Sequence, residues 1–281
     1  MGAKSVQPAR WTDAEAPSQG RLVLVPYGTA LTSDASLVSV PHSLFRERRA
    51  PARLTVAVLS GTAGFVDAAG FLMLAGLFPA HVTGELVGLT TALTGGHEMS
   101  HASRFAVVPL FVVALLGAAV VSRTRRSQGR SPRSALLGMM TAALGLGALS
   151  GLLDIWSEAV SPGWTIALRE GCILSAMAFQ NAFTREAPTS SCPTTVMTGN
   201  LTHFVFELVE AAVTRIRPPS PDETHARVVP RSRLRLVATA LGAFVLGALL
   251  GGYLVGVVGA FSFALPMVAG LGLWRRVTKD G

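Results

Sequence analysis

Between Leu236 and Trp274 the chain carries no charged side chain at all. Wound as one α-helix at 1.5 Å per residue, that stretch would be about 58 Å long, close to twice the roughly 30 Å hydrocarbon thickness of a bilayer. It reads as two membrane spans with a fold-back near Gly256 to Gly259. The rest of the sequence agrees. Of 281 residues 50% are hydrophobic and only 14% are charged, and the mean hydropathy is +0.48. That balance is too apolar for a soluble domain of this size and suits an all-α polytopic membrane protein whose principal partner is the lipid bilayer.

The net charge of +8 does not imply a nucleic-acid partner. The arginines cluster between apolar segments and do not alternate with aromatics, a pattern that the positive-inside rule for membrane proteins explains. Cys172 and Cys192 make no disulfide framework and have no metal-ligand spacing, so both read as small buried apolar residues. No P-loop, nucleophile elbow, dinucleotide fingerprint or zinc motif occurs, so neither a metal, a cofactor nor an enzymatic activity is expected.

Residues 1–50, rich in Ser, Pro, Ala and Gly, read as a disordered cytoplasmic tail. The only apolar run there, Leu22 to Val25, is too short for a signal peptide. The transmembrane domain, 51–281, falls into two similar halves. In the first, about 54–153, segment a runs from Leu54 to Leu77 and segment b from Val82 to Leu93. Segment c runs from Phe105 to Val121 and segment d from Ser134 to Leu153. In the second, about 164–275, the counterparts are a′ from Trp164 to Phe183, b′ from Thr194 to Val213, and the uncharged stretch as c′ and d′. Segment b reaches only about 18 Å as a helix and cannot span.

If b and b′ are both re-entrant, six helices cross the membrane. All the basic loops, Arg123 to Arg133, Arg215 to Arg235 and Arg275 to Lys279, then lie in the cytoplasm with both termini. Eight crossings would put the first of those loops outside. Three spans per half is an odd number, so the halves are expected to be inverted repeats, a common transporter architecture whose polar, helix-breaking segments meet near the midplane.

The two polar segments repeat in sequence. Pro79-Ala80-His81-Val82-Thr83-Gly84-Glu85-Leu86 answers Pro193-Thr194-Thr195-Val196-Met197-Thr198-Gly199-Asn200-Leu201, and Asp67 within segment a answers Asn181 within a′. A one-residue gap aligns both blocks, since Asp67 precedes Thr83 by 16 positions and Asn181 precedes Thr198 by 17. At these motifs, together with Gly64-Phe65-Val66-Asp67-Ala68 and Gln180-Asn181-Ala182, the chain resembles the YoaK-like family of bacterial membrane proteins. The resemblance covers roughly 54–275. It implies a polytopic inner-membrane protein suspected of transport, with no established substrate. The family pattern has Asn after the first Thr-Gly; here that position is Glu85.

The candidate solute- or ion-binding residues come from these motifs. A carboxylate at Asp67, well inside segment a, costs about 2.5–3.5 kcal/mol to insert and must face protein or water. A carboxylate so placed suits a proton-coupling site, and a structural hydrogen bond to segment b or b′ is the alternative. Glu85, in the first turn of b, suits either ion coupling or a helix cap. Thr83, Thr194, Thr195, Thr198 and Asn200 supply donors and acceptors, and Gly84 and Gly199 allow close backbone approach. The alternative for that set is helix–helix packing, in which small and hydroxyl residues also serve. Gln180 and Asn181 are expected to hydrogen-bond across the repeat. Asp67 and the segment around Thr198, Gly199 and Asn200 are expected to form one site. His81 and His203 flank the motifs and read as hydrogen-bond partners, and Arg169-Glu170 reads as an interfacial pair snorkelling outward. Gly138, Gly145, Gly247 and Gly251-Gly252 read as packing positions.

The resulting expectation is a secondary transporter or permease for a small polar solute, driven or gated by a proton or cation at Asp67, in the bacterial plasma membrane. A passive channel on the same scaffold and a non-transporting membrane scaffold are the alternatives. Self-association into a homo-oligomer is compatible with either.

Overall fold

The computed structural model describes residues 49–94, 104–155, 162–186, 192–216 and 231–280. The expected tail lies outside them, apart from Arg49 and Ala50, which open the first helix. The described residues form helices and turns only: α1 (Arg49–Met73), α2 (Val82–Leu93), α3 (Arg104–Ser127), α4 (Arg133–Leu149), α5 (Gly151–Ile155), α6 (Pro162–Arg185), α7 (Met197–Ile216), α8 (Arg231–Val258) and α9 (Ala264–Asp280). A short 3-10 turn, Gly259–Phe263, joins the last two.

Segment a was expected to be helical through Leu77, but α1 stops at Met73. Ala75 and Gly76 take left-handed φ values of 53° and 82°, and the Gly76 N–H returns 3.0 Å to the Phe71 carbonyl. This is a glycine-assisted helix stop. The apolar run continues past it because the turn is itself buried, with Leu74 and Leu77 inside. Asp67 consequently lies six residues, about 9 Å, from the end of its helix and not at its middle. Segment b is as expected, and the fold-back between α8 and α9 falls at Gly259, whose φ of 58° is left-handed.

Four stretches are long and apolar enough to cross a bilayer: Arg53–Met73, Phe105–Ser127, Arg133–Ile155 and Ser232–Lys279. The last of these contains both α8 and α9. Their outward faces are apolar and bare, as with Val113, Leu116 and Val120 on α3 and Leu246 and Leu249 on α8. Water disfavours such a surface and lipid does not. The chain is therefore a membrane-associated, polytopic all-α protein.

Helix α1 packs along α8, α6 packs against α3 and α4, α4 against α9, α7 against α8 and α2 against α3. Leu59, Phe65 and Val66 of α1 share one core with Met140 and Leu144 of α4, Met177 and Phe183 of α6, and Phe263. The α1–α8 contact is backbone on backbone. A Cβ on Gly64 would lie 2.0 Å from the Phe244 carbonyl oxygen, one on Gly247 2.0 Å from that of Gly61, and one on Gly251 2.4 Å from that of Phe65. Gly138 and Gly145 instead pack against side chains of α9, where an added Cβ would lie 3.1 Å from Trp274 Nε1 and 2.9 Å from Met267 Sδ. These packing positions are as expected, except that Gly252 meets only Leu72, at 4.0 Å.

Arg169 corrects another expectation. It does not snorkel outward: it is 4% exposed, with Nε donating to Ser150 Oγ at 2.9 Å and Nη2 to Asp154 Oδ2 at 2.6 Å. The break between α4 and α5 at Ser150 supplies acceptors inside the bundle, and a buried guanidinium requires them. Glu170 is buried as well.

Candidate functional site

Asp67 is 4% exposed and fully partnered. Its Oδ1 accepts the Ala80 N–H at 2.7 Å, and its Oδ2 accepts His81 Nδ1–H at 2.5 Å. The turn after α1 makes this reach available by folding back along the helix. A Cβ on Gly70 would lie 2.7 Å from the Pro79 ring, so glycine is needed where the turn crosses over. Glu85 reaches the same turn from α2, its Oε1 accepting the Phe78 N–H at 3.1 Å. Two buried carboxylates therefore satisfy two backbone donors that no helix or strand would otherwise satisfy.

The second polar motif makes comparable contacts with neutral groups. Asn181 Oδ1 accepts the Thr195 hydroxyl at 2.8 Å. The separation in sequence is 14 residues, as for Asp67 and His81. Asn200 stands where Glu85 does. It accepts from the Cys192 thiol at 3.2 Å and donates Nδ2–H to the Pro193 carbonyl at 2.6 Å. Gln180, fully buried, donates through Nε2 to the Leu59 carbonyl of α1 at 2.9 Å and to Thr194 Oγ1 at 3.2 Å. Among the described residues its Oε1 is buried without a partner, and so is the hydroxyl of Ser60, the neighbour of Leu59.

The candidates thus gather into two clusters: Asp67 and Glu85 around His81, and Gln180, Asn181, Thr194, Thr195 and Asn200 around Pro193. Helix α1 links them, since Gln180 binds its backbone eight residues before Asp67. Thr83, Gly84 and Thr198 are exposed, and Gly199 is half-buried. A Cβ on Gly84 would meet nothing within 4 Å, and one on Gly199 only its own turn's Val196. Neither glycine serves a close approach in this structure; each lies in the first turn of its helix. His203 is exposed on α7.

A cavity of about 420 Å³ opens beside Asp67, walled by Gly64, Ala68, Phe78, His81, Phe244 and Ala248. Among the described residues Asp67 and His81 are the ionisable groups that line it, and the His81 ring stands edge-on to Phe244 with centroids 5.9 Å apart. His81 sits in the turn outside the helices. The hydrogen bond to the Asp67 carboxylate raises the imidazole above its usual value, outweighing the partial burial that lowers it. Burial pushes the Cys192 thiol up to about 11, with nearby Arg233 opposing the rise, so Cys192 is a hydrogen-bond donor and not a reactive thiolate.

His81 is the member of this site that the sequence reading assigned no site role. The signal was its separation from Asp67, matched by that between Asn181 and Thr195. Among the described residues no group of three or more His, Cys, Asp or Glu side chains could hold a metal ion.

Neither the curated proteins nor the solved structures contain a match to this chain. Residues 55–274, which span every element of the site, match the family model described as "Protein of unknown function (DUF1275)", and the chain belongs to that family.

Proposed function

We propose that this protein is a secondary transporter or permease for a small polar solute, coupled to protons through the Asp67–His81 pair. The observation that carries the reading is the pair itself: a buried carboxylate hydrogen-bonded to a partly exposed imidazole on the wall of a 420 Å³ cavity. A proton held there has a partner on each side and a route to solvent through His81, which suits a coupling site.

The same reading takes the fold as six spans in two inverted repeats, about 54–153 and 164–275. Helices α1, α3, α4, α6, α8 and α9 would cross the membrane, α2 and α7 would be re-entrant, and both termini would lie in the cytoplasm of a bacterial cell. The neighbours of α1 and α6 support it: α1 packs on α8 and α9, while α6 packs on α3 and α4, their counterparts. Matching polar links over 14 residues in each half support it too. Gln180 Oε1 and Ser60 Oγ, buried and unpartnered where the halves cross, are groups that a solute or water would satisfy.

The test is solute-dependent proton movement. Proteoliposomes loaded with a pH-sensitive dye are exposed in turn to amino acids, amines, organic acids and sugars. The wild type is expected to move protons with one class, and Asp67→Asn is expected to move none while remaining folded. Solute entry without any proton movement would indicate a passive channel. No flux of any solute in either direction would leave the scaffold reading.

A further inference from the structure

We propose that the groove between α3, α4 and α9 is a binding site for an anionic phospholipid, held by its headgroup at the arginine end. The groove is about 880 Å³ in volume and open along one side, within the ~300–1,000 Å³ of small-molecule sites. Its lining changes character along its length. Val120, Ala135, Met139, Ala142 and Trp274 form an apolar trough, while Thr124, Arg125, Gln128, Arg130 and Ser134 form a polar end. A phospholipid has that division, with acyl chain in one part and phosphate in the other.

Among the described residues, the charge at the polar end is uncommitted. Of the arginines around the α3–α4 connection, Arg126 pairs with Glu186 and Arg133 stacks over the Phe183 ring, 5.3 Å from its centroid. Arg125 and Arg130 meet no carboxylate among the described residues. They are joined by a turn in which the Arg130 N–H bonds to the Arg125 carbonyl at 2.9 Å, and Gly129 takes a φ of 68°. That turn places the two residues on the rim of the same groove. Two guanidinium groups beside three hydroxyl or amide side chains suit a phosphodiester, which accepts from each of them. The apolar trough then holds the first part of an acyl chain, and Trp274 marks the level of the membrane interface. A free phosphate would use only the polar end. The trough is what assigns the site to a lipid.

The site is independent of the transport reading and is tested on the full chain. Purified protein in a mild detergent is titrated with a phosphatidylglycerol, and retention is read by native mass spectrometry. Phosphatidylcholine with the same chains and glycerol phosphate without chains are the comparison ligands. Phosphatidylglycerol alone is expected to be retained. Arg125→Gln/Arg130→Gln should weaken it about 25-fold, near fivefold or ~1 kcal/mol per arginine, and Ala142→Phe should weaken it by filling the trough. Arg275→Gln/Arg276→Gln, which removes the same charge outside the groove, should leave retention unchanged. Equal loss in that control, equal retention of phosphatidylcholine, or full retention of glycerol phosphate would overturn the proposal. So would a stable dimer that retains no lipid, because the groove would then belong to a second copy.

Discussion

Replacing Gly64 by alanine is expected to destabilise the protein, although alanine is the better helix former. The intrinsic preference favours the substitution by about 0.8–1.0 kcal/mol. Against it, the new Cβ would stand 2.0 Å from the Phe244 carbonyl oxygen and 2.8 Å from its carbon. Both are backbone atoms, which no rotamer change can move. Restoring ordinary contact requires α1 and α8 to part by about 1.4 Å or more along that line, and a gap of even ~1 Å forfeits up to about half of each contact's attraction. Overpacking of this kind costs about 1–3 kcal/mol. Gly247→Ala has the same geometry against Gly61, and because one separation relieves both clashes, the double substitution should cost less than the sum of the two singles. Gly256→Ala, on the same helix α8 with nothing within 4 Å of the new Cβ, should be neutral or stabilising. Thermal unfolding in detergent, followed by intrinsic fluorescence, resolves these differences at ~2–4 °C per kcal/mol. If Gly64→Ala unfolds no earlier than Gly256→Ala, the close α1–α8 contact is not what holds that face of the cavity.

Three further outcomes are expected. In a Cys172→Ala/Cys192→Ser background, Ile155→Cys should label with an impermeant maleimide in intact cells, and Ser127→Cys only after permeabilisation. The reverse would refute the six-span orientation. Asn200→Asp should destabilise by about 1–3 kcal/mol, since the Nδ2–H bond to the Pro193 carbonyl becomes a carboxylate facing a carbonyl oxygen. Glu85→Gln, which keeps the acceptor for the Phe78 N–H, should cost under about 1 kcal/mol in the same unfolding assay.

What the sequence made legible follows from local rules. An uncharged run longer than one bilayer forces a fold-back, and Gly259 is where the backbone can take it. Glycines spaced four apart predict a tight helix pair, and Gly247 and Gly251 make one. What was not legible depends on pairings between distant residues. Nothing beside Arg169 in the chain announces that Ser150 and Asp154 receive its guanidinium inside the bundle. Nor does hydropathy reveal that α1 stops at Met73, because the turn that ends it is as apolar as the helix.

The departure at Glu85 bears most directly on whether the two halves are one design used twice. In each half the residue before the proline donates to the side chain after Thr-Gly. Phe78 does so with its backbone N–H to Glu85, and Cys192 with its thiol to Asn200. The acceptor is what both sites require, and a carboxylate or an amide provides it. Only in the second half does that side chain also donate, to the Pro193 carbonyl, and there an amide is needed. The polar links in the two halves thus differ in charge while keeping the same span: Asp67 and His81 where Asn181 and Thr195 stand opposite. The first motif thus carries ionisable side chains at all three matched positions, Asp67, His81 and Glu85, where the second carries the neutral Asn181, Thr195 and Asn200.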